Sequence, residues 1–249
     1  MSFKFLDNYK FIPFAHRGGS FDFCENTLDA FNKSINLGYN HIETDVRHTK
    51  DNKLVIFHDV DLKRLCKLDI KINNLEYRDL KNIKIFKKHS IPLLQDALTS
   101  WPNINFNIEP KSVESAYLLR ETLKSLKNID RICIGSFSSY KMNIFRNTFK
   151  KSLCTSMTER ETILFFINRL IPLFRNDIPC LQIPMYHLGI RIVTRDFVKY
   201  VHELGKKIHV WTINDEAKMI DLIDIEVDGI MTDRPKILKK ILKSKSLWA

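Results

Sequence analysis

The chain has 249 residues, enough for one large domain or two small ones, and its 44% hydrophobic content supports a sizeable core. A formal charge of +11, from 40 Lys and Arg against 29 Asp and Glu, favours anionic partners: phosphorylated small molecules, membrane surfaces or nucleic acid. The basic residues are spread along the chain and form no nucleic-acid-binding motif, which argues against nucleic acid.

The N-terminus, MSFKFLDNYK, has no apolar core followed by a cleavage site. Five cysteines (Cys24, Cys66, Cys133, Cys154 and Cys180) are odd in number and scattered, and three lie in apolar runs. That pattern suits reduced thiols better than a disulfide framework. The longest apolar run, residues 163–174, contains Asn168, Arg169 and Pro172 and falls short of the roughly 20 residues a bilayer requires. The expectation is a soluble, cytoplasmic protein, and nothing in the sequence fixes its oligomeric state.

Along the chain, residues 11–15 read as a short strand ending at His16. Asn26 or Thr27 caps a helix whose apolar face is Leu28, Phe31 and Ile35, and Gly38 closes it. Residues 42–46 alternate apolar with polar, so they form a strand on which Glu43 and Asp45 share a face. A turn centred on Asp51-Asn52 returns the chain over 53–57 and sets Asp45 opposite His58. A candidate acid/base thus comes beside a candidate cation ligand. Residues 60–90 are polar and weakly periodic, and read as an insertion over the site. Pro92 starts a helix carrying Leu94, Ala97, Leu98 and Trp101.

Strands are then expected at 104–109, 131–136, 152–156, 180–184, 207–213 and 228–232. Helices are expected between them at 113–127, 139–148, 159–174, 194–204 and 215–225. Eight strand-helix units imply a parallel sheet and fit a closed (β/α)₈ barrel in a single domain. The rival is an open doubly wound sheet, which normally carries a GxGxxG turn after its first strand; His16-Arg17-Gly18-Gly19 lacks that spacing. In the barrel, His16, Arg17, Glu43, Asp45, Glu109, Lys111 and Trp211 all fall late in or just after a strand, on the face where such barrels place their active sites. Residues 235–247 are basic and partly amphipathic. They read as an outer barrel helix with a solvated Lys face, with weak contact to an anionic membrane surface as the alternative.

Four motifs in order, His16-Arg17-Gly18, Glu25-Asn26-Thr27, Glu43-x-Asp45 and His58-Asp59, resemble the signature of the glycerophosphodiester phosphodiesterases. The resemblance continues through Asn107 to Lys111, Gly135 to Ser138, His209 to Thr212 and Asp228 to Asp233. It implies hydrolysis of deacylated phospholipids such as glycerophosphocholine or glycerophosphoethanolamine to sn-glycerol 3-phosphate and an alcohol. A lysophospholipase D and a non-catalytic head-group binding module are the rivals. Glu43, Asp45 and Glu109 are the expected ligands of one divalent cation, Mg²⁺ or Ca²⁺. His16 and His58 are the expected general acid and base, in an order the sequence leaves open. Arg17 and Lys111 are expected on phosphate oxygens, Glu25 at or beneath the substrate, and Trp211 against the glycerol backbone. The attacking group is water or the glycerol 2-hydroxyl. Departures from the family pattern are Cys24 in place of Pro, Asn52 in place of Gly, and Pro110 between Glu109 and Lys111.

Overall fold

The computed structural model describes residues 3–7, 9–169 and 177–248. Eight principal strands are β1 (Ile12–His16), β2 (His41–His48), β3 (Asn105–Pro110), β4 (Ile132–Ile134), β5 (Cys154–Thr155), β6 (Cys180–Pro184), β7 (Lys207–Trp211) and β8 (Gly229–Thr232). Each leads to a helix: α1 (Leu28–Asn36), α2 (Leu94–Ser100), α3 (Val113–Lys124), α4 (Ser139–Phe149), α5 (Glu159–Asn168), α6 (Arg195–Glu203), α7 (Glu216–Asp224) and α8 (Pro235–Ser244). The strands pair in parallel in the order β5-β4-β3-β2-β1-β8-β7-β6. One parallel bridge, Ser156 to Cys180, joins the two ends and closes the (β/α)₈ barrel.

The helices start where the sequence supplies caps. Thr27, Ser112, Ser138, Thr158, Thr194 and Asp215 each accept a hydrogen bond from a backbone N–H in the first turn that follows. Apolar helix faces pack on the outside of the sheet in two large clusters, one around Phe31, Ile42 and Phe106 and the other around Phe197, Val210 and Leu222. Inside the barrel, the period of two stacks side chains in columns. Phe14, Cys133, Cys154, Cys180 and Met231 form the lower core there, and Phe3, Phe5 and Leu6 belong to the same cluster.

The structure moves several expected features. The turn after β2 holds one residue more than expected: Thr49 N–H donates to the Lys53 carbonyl at 3.0 Å, and Asn52 takes a left-handed φ of 60°. A three-residue loop shifts the register by one, so Val46 pairs with Ile56 and Phe57 N–H donates to the Asp45 carbonyl. Phe57, not His58, stands opposite Asp45, and His58 reaches the site only because the return strand (Leu54–Ile56) has already ended. Thr27 caps α1, while Asn26 sits at φ 54° with its amide turned elsewhere. Pro92 was expected to start α2, but the helix begins two residues later at Leu94, with Leu93 at its N-cap. The helix expected over 159–174 is described to Asn168, and residues 170–176 lie outside the described part.

Residues 60–90 were expected over the site, but none of them lines the cavity described below. Their apolar side chains Leu62, Leu65, Ile72, Leu80 and Ile85 instead bury themselves against Val55 and Phe57. That packing draws the segment beside the barrel mouth. At the other end of the chain, α8 buries Pro235, Leu238, Ile241 and Leu242 against the barrel. Among the described residues, no helix is long and apolar enough to cross a membrane.

Candidate active site

The C-terminal ends of the strands surround a cavity of about 500 Å³. His16, Glu43, Asp45, His58, Glu109 and Lys111 line its polar side, with Arg17 beside them. β1 delivers His16, and the chain then turns through three successive left-handed residues: Arg17, Gly18 and Gly19. A Cβ on Gly18 would lie 2.6 Å from Phe31, and one on Gly19 would lie 2.6 Å from Pro235, so only glycine fits at either place. The turn aims the Arg17 N–H at Glu43 Oε2, 2.9 Å away. Register places Glu43 beside His16 and Asp45 beside Glu109.

Both histidines are oriented in the same way. His16 Nδ1–H donates to Asp233 Oδ1 at 2.6 Å, and His58 Nδ1–H donates to Asp59 Oδ1 at 2.7 Å. Each bond fixes the ring and leaves Nε2 for the cavity. Asp233, just past β8, also accepts from the Ser20 hydroxyl and from Asn214 Nδ2. Burial would raise the Asp233 carboxyl, but the His16 bond and charge, with Ser20 and Asn214, hold it at about 2. Burial likewise opposes Asp59, and hydrogen bonds from Arg64 and His58 hold that carboxyl at about 2. At His16, burial disfavours the charged ring; Glu43 and then Asp233 outweigh it, and the pKa is raised. His16 Nε2 lies 3.7 Å from Glu43 Oε2.

The acids divide into two kinds. Burial, then the neighbouring charge of Asp45, pushes Glu43 up, against the pull of His16 and Arg17. Burial acts on Asp45 as well, but Lys111, Arg17, His58 and the Asn26 amide outweigh it and lower its pKa. Asp45 Oδ1 is 3.0 Å from Lys111 Nζ, and its Oδ2 accepts from Asn26 Nδ2 at 2.9 Å. Lys111 Nζ also donates to Glu109 Oε2 at 3.0 Å. Two buried carboxylates side by side, one of them left favouring its proton, form a donor set that suits a hard divalent cation. An ion taken by both Asp45 and Glu109 would compete with the Lys111 ammonium between them.

Glu25, expected at or beneath the substrate, does not line the cavity. Its carboxylate takes Arg17 Nη1 at 3.0 Å and two nitrogens of Arg64 at 2.7 Å each. Arg64 in turn holds Asp59, so a chain of ion pairs runs from Arg17 through Glu25 and Arg64 to the partner of His58. Trp211 lines the cavity, edge-on to Phe137 with ring centroids 5.6 Å apart. The wall beyond it is apolar: Met157, Ile163, Phe166 and Ile167, three of them from α5.

Sequence reasoning assigned no role to Asp59, Arg64 or Asp233, and it treated Asn26 as a cap. The signal for the two carboxylates is their position: Asp59 directly follows His58, and Asp233 directly follows the last residue of β8. Arg64 had none, because its partners lie 39 and 5 residues away.

A model of the glycerophosphoryl diester phosphodiesterase family matches residues 16–237. A Mycobacterium tuberculosis protein named "Probable glycerophosphodiester phosphodiesterase 2" is 31% identical to this chain, over 98% of the chain and 96% of that protein. Human lysophospholipase D is 25% identical, over 93% of the chain and 86% of that protein. The structure also resembles an Oleispira antarctica phosphodiesterase solved with the product sn-glycerol-3-phosphate. The TM-score is 0.78 at 22% identity, over 93% of this chain and 96% of that one.

Proposed function

The chain belongs to the glycerophosphoryl diester phosphodiesterase family and is an enzyme of that class, and from that premise we propose how its residues divide the work. The substrate is a deacylated phospholipid diester such as glycerophosphocholine or glycerophosphoethanolamine, and the products are sn-glycerol 3-phosphate and the alcohol. The observation that carries this reading is the pair of imidazoles, each tied through Nδ1 to its own carboxylate and each lining one cavity with Glu43, Asp45 and Glu109.

Glu43, Asp45 and Glu109 would hold one divalent cation, Mg²⁺ or Ca²⁺. Such an ion, when bound, would supply positive charge for the phosphoryl oxygens and Lewis acidity for a hydroxyl. Arg17 and Lys111 place their positive charges on the remaining phosphate oxygens, once substrate competes for them with Glu25, Asp45 and Glu109. One of His16 and His58 accepts a proton from the nucleophile through Nε2, and the other gives a proton to the leaving alkoxide. Asp233 and Asp59 keep each ring in the tautomer its step requires. Trp211 offers a flat face to the glycerol backbone.

Release of glycerol 3-phosphate from glycerophosphocholine, measured with and without EDTA, tests this reading. Turnover should vanish on chelation and return with added Mg²⁺ or Ca²⁺. Undiminished turnover after chelation would remove the metal from the mechanism.

A second reading, lysophospholipid as substrate, is favoured by the apolar wall of α5, where Ile163 and Ile167 stay about half exposed beside the cavity. A glycerol and a choline leave such a wall unused, whereas an acyl chain would cover it. Ile163→Asp with Ile167→Asp should then cut kcat/KM for lysophosphatidylcholine tenfold or more while sparing glycerophosphocholine. Equal effects on both substrates would rule out an acyl-chain site there.

A further inference from the structure

Below the floor of the catalytic cavity the barrel holds a second set of potential ligands that the phosphodiesterase chemistry does not use. Cys133 on β4, Cys154 on β5 and Cys180 on β6 all point into the lumen and are buried. Their sulfurs lie within 4.8 Å of one another, and among the described residues no other group of His, Cys, Asp or Glu brings three such atoms so close. Cys133 and Cys154 are direct register partners, and Cys180 bridges to Ser156, just past the end of β5. Two of the thiols make long contacts to backbone carbonyls, Cys133 Sγ to the Ile134 carbonyl at 3.9 Å and Cys180 Sγ to the Thr155 carbonyl at 3.8 Å.

The next strand, β7, adds an independent observation. His209 is fully buried, and neither ring nitrogen has a hydrogen-bond partner. A buried imidazole with both nitrogens unsatisfied is costly unless something else takes a lone pair. His209 lies on β7, which pairs with the strand of Cys180, but not within 4.8 Å of all three sulfurs, so the ring would have to turn toward them to share an ion. Glycine at position 229 makes room for it, since a Cβ there would stand 3.0 Å from His209 Cδ2.

We propose that Cys133, Cys154 and Cys180, with His209 as fourth ligand, form a site for a thiophilic d¹⁰ ion such as Zn²⁺ in the lower barrel. Three sulfurs around tetrahedral zinc stand about 3.8 Å apart, given Zn–S bonds of about 2.3 Å, so the trio needs only a small contraction. Thiolate and imidazole select zinc over the hard cation that suits the carboxylates above. Binding releases the thiol protons. The charge left on the thiolates faces Gln182, whose amide nitrogen is 4.0 Å from Cys133 Sγ. The ligands come from β4, β5, β6 and β7, and thus straddle the one seam that a single bridge closes, where β5 has two residues. The ion would staple that seam. Phe3, Phe5 and Leu6 belong to the same cluster as the thiols, and Gln182 Nε2 donates to Asn107 Oδ1 above them at 2.9 Å, so loading belongs to folding.

The test is spectroscopic and separate from turnover. The full chain, kept reduced, is expressed in cobalt- or zinc-supplemented medium, dialysed, and analysed for metal and absorption. The cobalt form should show a thiolate-to-cobalt charge-transfer band, which oxygen ligands do not give, and the zinc form should retain about one zinc per chain. Cys154→Ala and Cys180→Ala should each lose the band, whereas Cys24→Ala, Cys66→Ala and Asp45→Asn should keep it. His209→Leu should keep the band, alter the visible cobalt spectrum and weaken zinc tenfold or more. If either core variant does not fold, the wild-type band decides. No thiolate-to-cobalt band in the wild type, or a band that survives both core cysteine variants, overturns the site. An unchanged visible spectrum in His209→Leu overturns the fourth ligand.

Discussion

Asp233 holds the His16 ring as Asp59 holds that of His58, and neither carboxylate lines the cavity. Replacing Asp233 with Asn keeps the shape but removes the charge that favours the imidazolium and allows the wrong tautomer. Asp233→Asn should lower kcat by roughly 10²–10⁴ with little change in KM. It should also move one limb of the pH–rate profile to lower pH, because His16 loses part of what raises its pKa. A profile with both limbs in place and normal kcat would leave Asp233 without that role. The same shifts bear on stability. Asp59 and Asp233, held at about 2, contribute stability that is present above the ordinary carboxylate range and lost as the pH falls toward 2. His16, raised, contributes stability below about 6.5 that is lost as the pH rises through its folded value. Glu43 is raised too, so its contribution has the same sign: present below the ordinary carboxylate range and lost as the pH rises through its folded value. Urea titrations of the wild type should therefore weaken steeply between about pH 4 and pH 2. An Asp59→Asn, Asp233→Asn double variant should weaken less over that range.

Helix α5 links local sequence to the cavity at the scale of one element. Thr158 and Glu161 form a reciprocal capping box, and Glu161 also takes Arg146. Thr158→Ala should cost about 1 kcal/mol, read by denaturant unfolding, and should loosen the wall that Ile163, Phe166 and Ile167 build. At the other end of the chain, Leu238→Ala in α8 should cost about 2–4 kcal/mol, because that face is spent on the barrel. A loss under 1 kcal/mol would mean that α8 is docked only loosely. Element positions were legible because β/α alternation, caps such as Thr27 and Thr194, and closing residues such as Gly38 and Gly205 all follow local chemistry. The β2 turn was not. Asp51-Asn52 looks like a two-residue turn, and only the Thr49 to Lys53 bond reveals a third residue and the register it imposes. Residues 60–90 misled for a related reason: sparse apolar residues without periodicity still make a core once Val55 and Phe57 are there to receive them.

Across the whole molecule, eight strand ends bring residues separated by up to 217 positions into contact, as His16 and Asp233 show. Strand-end position made His16, Glu43, Asp45, Glu109 and Lys111 legible, and the structure gathers them in one cavity. Asp59 is the immediate neighbour of His58, but Asp233 reaches His16 only through closure of the barrel, and the Glu25–Arg64 link joins residues 39 positions apart with no local signature. A cation bound by Glu43 and Asp45 would relieve their repulsion, so saturating Mg²⁺ or Ca²⁺ should raise Tm at pH 8. At a hundredfold excess over Kd the rise should be roughly 5–10 °C. The Glu43→Gln variant should show no such rise, and a wild-type Tm indifferent to both ions would speak against the carboxylate site. The division of labour between the histidines is tested most directly by kcat for His16→Ala and His58→Ala on glycerophosphocholine and on a nitrophenyl phosphodiester. Both variants should lose roughly 10²–10⁴ in kcat on the natural substrate, and the better leaving group should restore one of them and not the other. Rescue of neither, or near-normal turnover of both on glycerophosphocholine, would contradict a pair of imidazoles acting as acid and base.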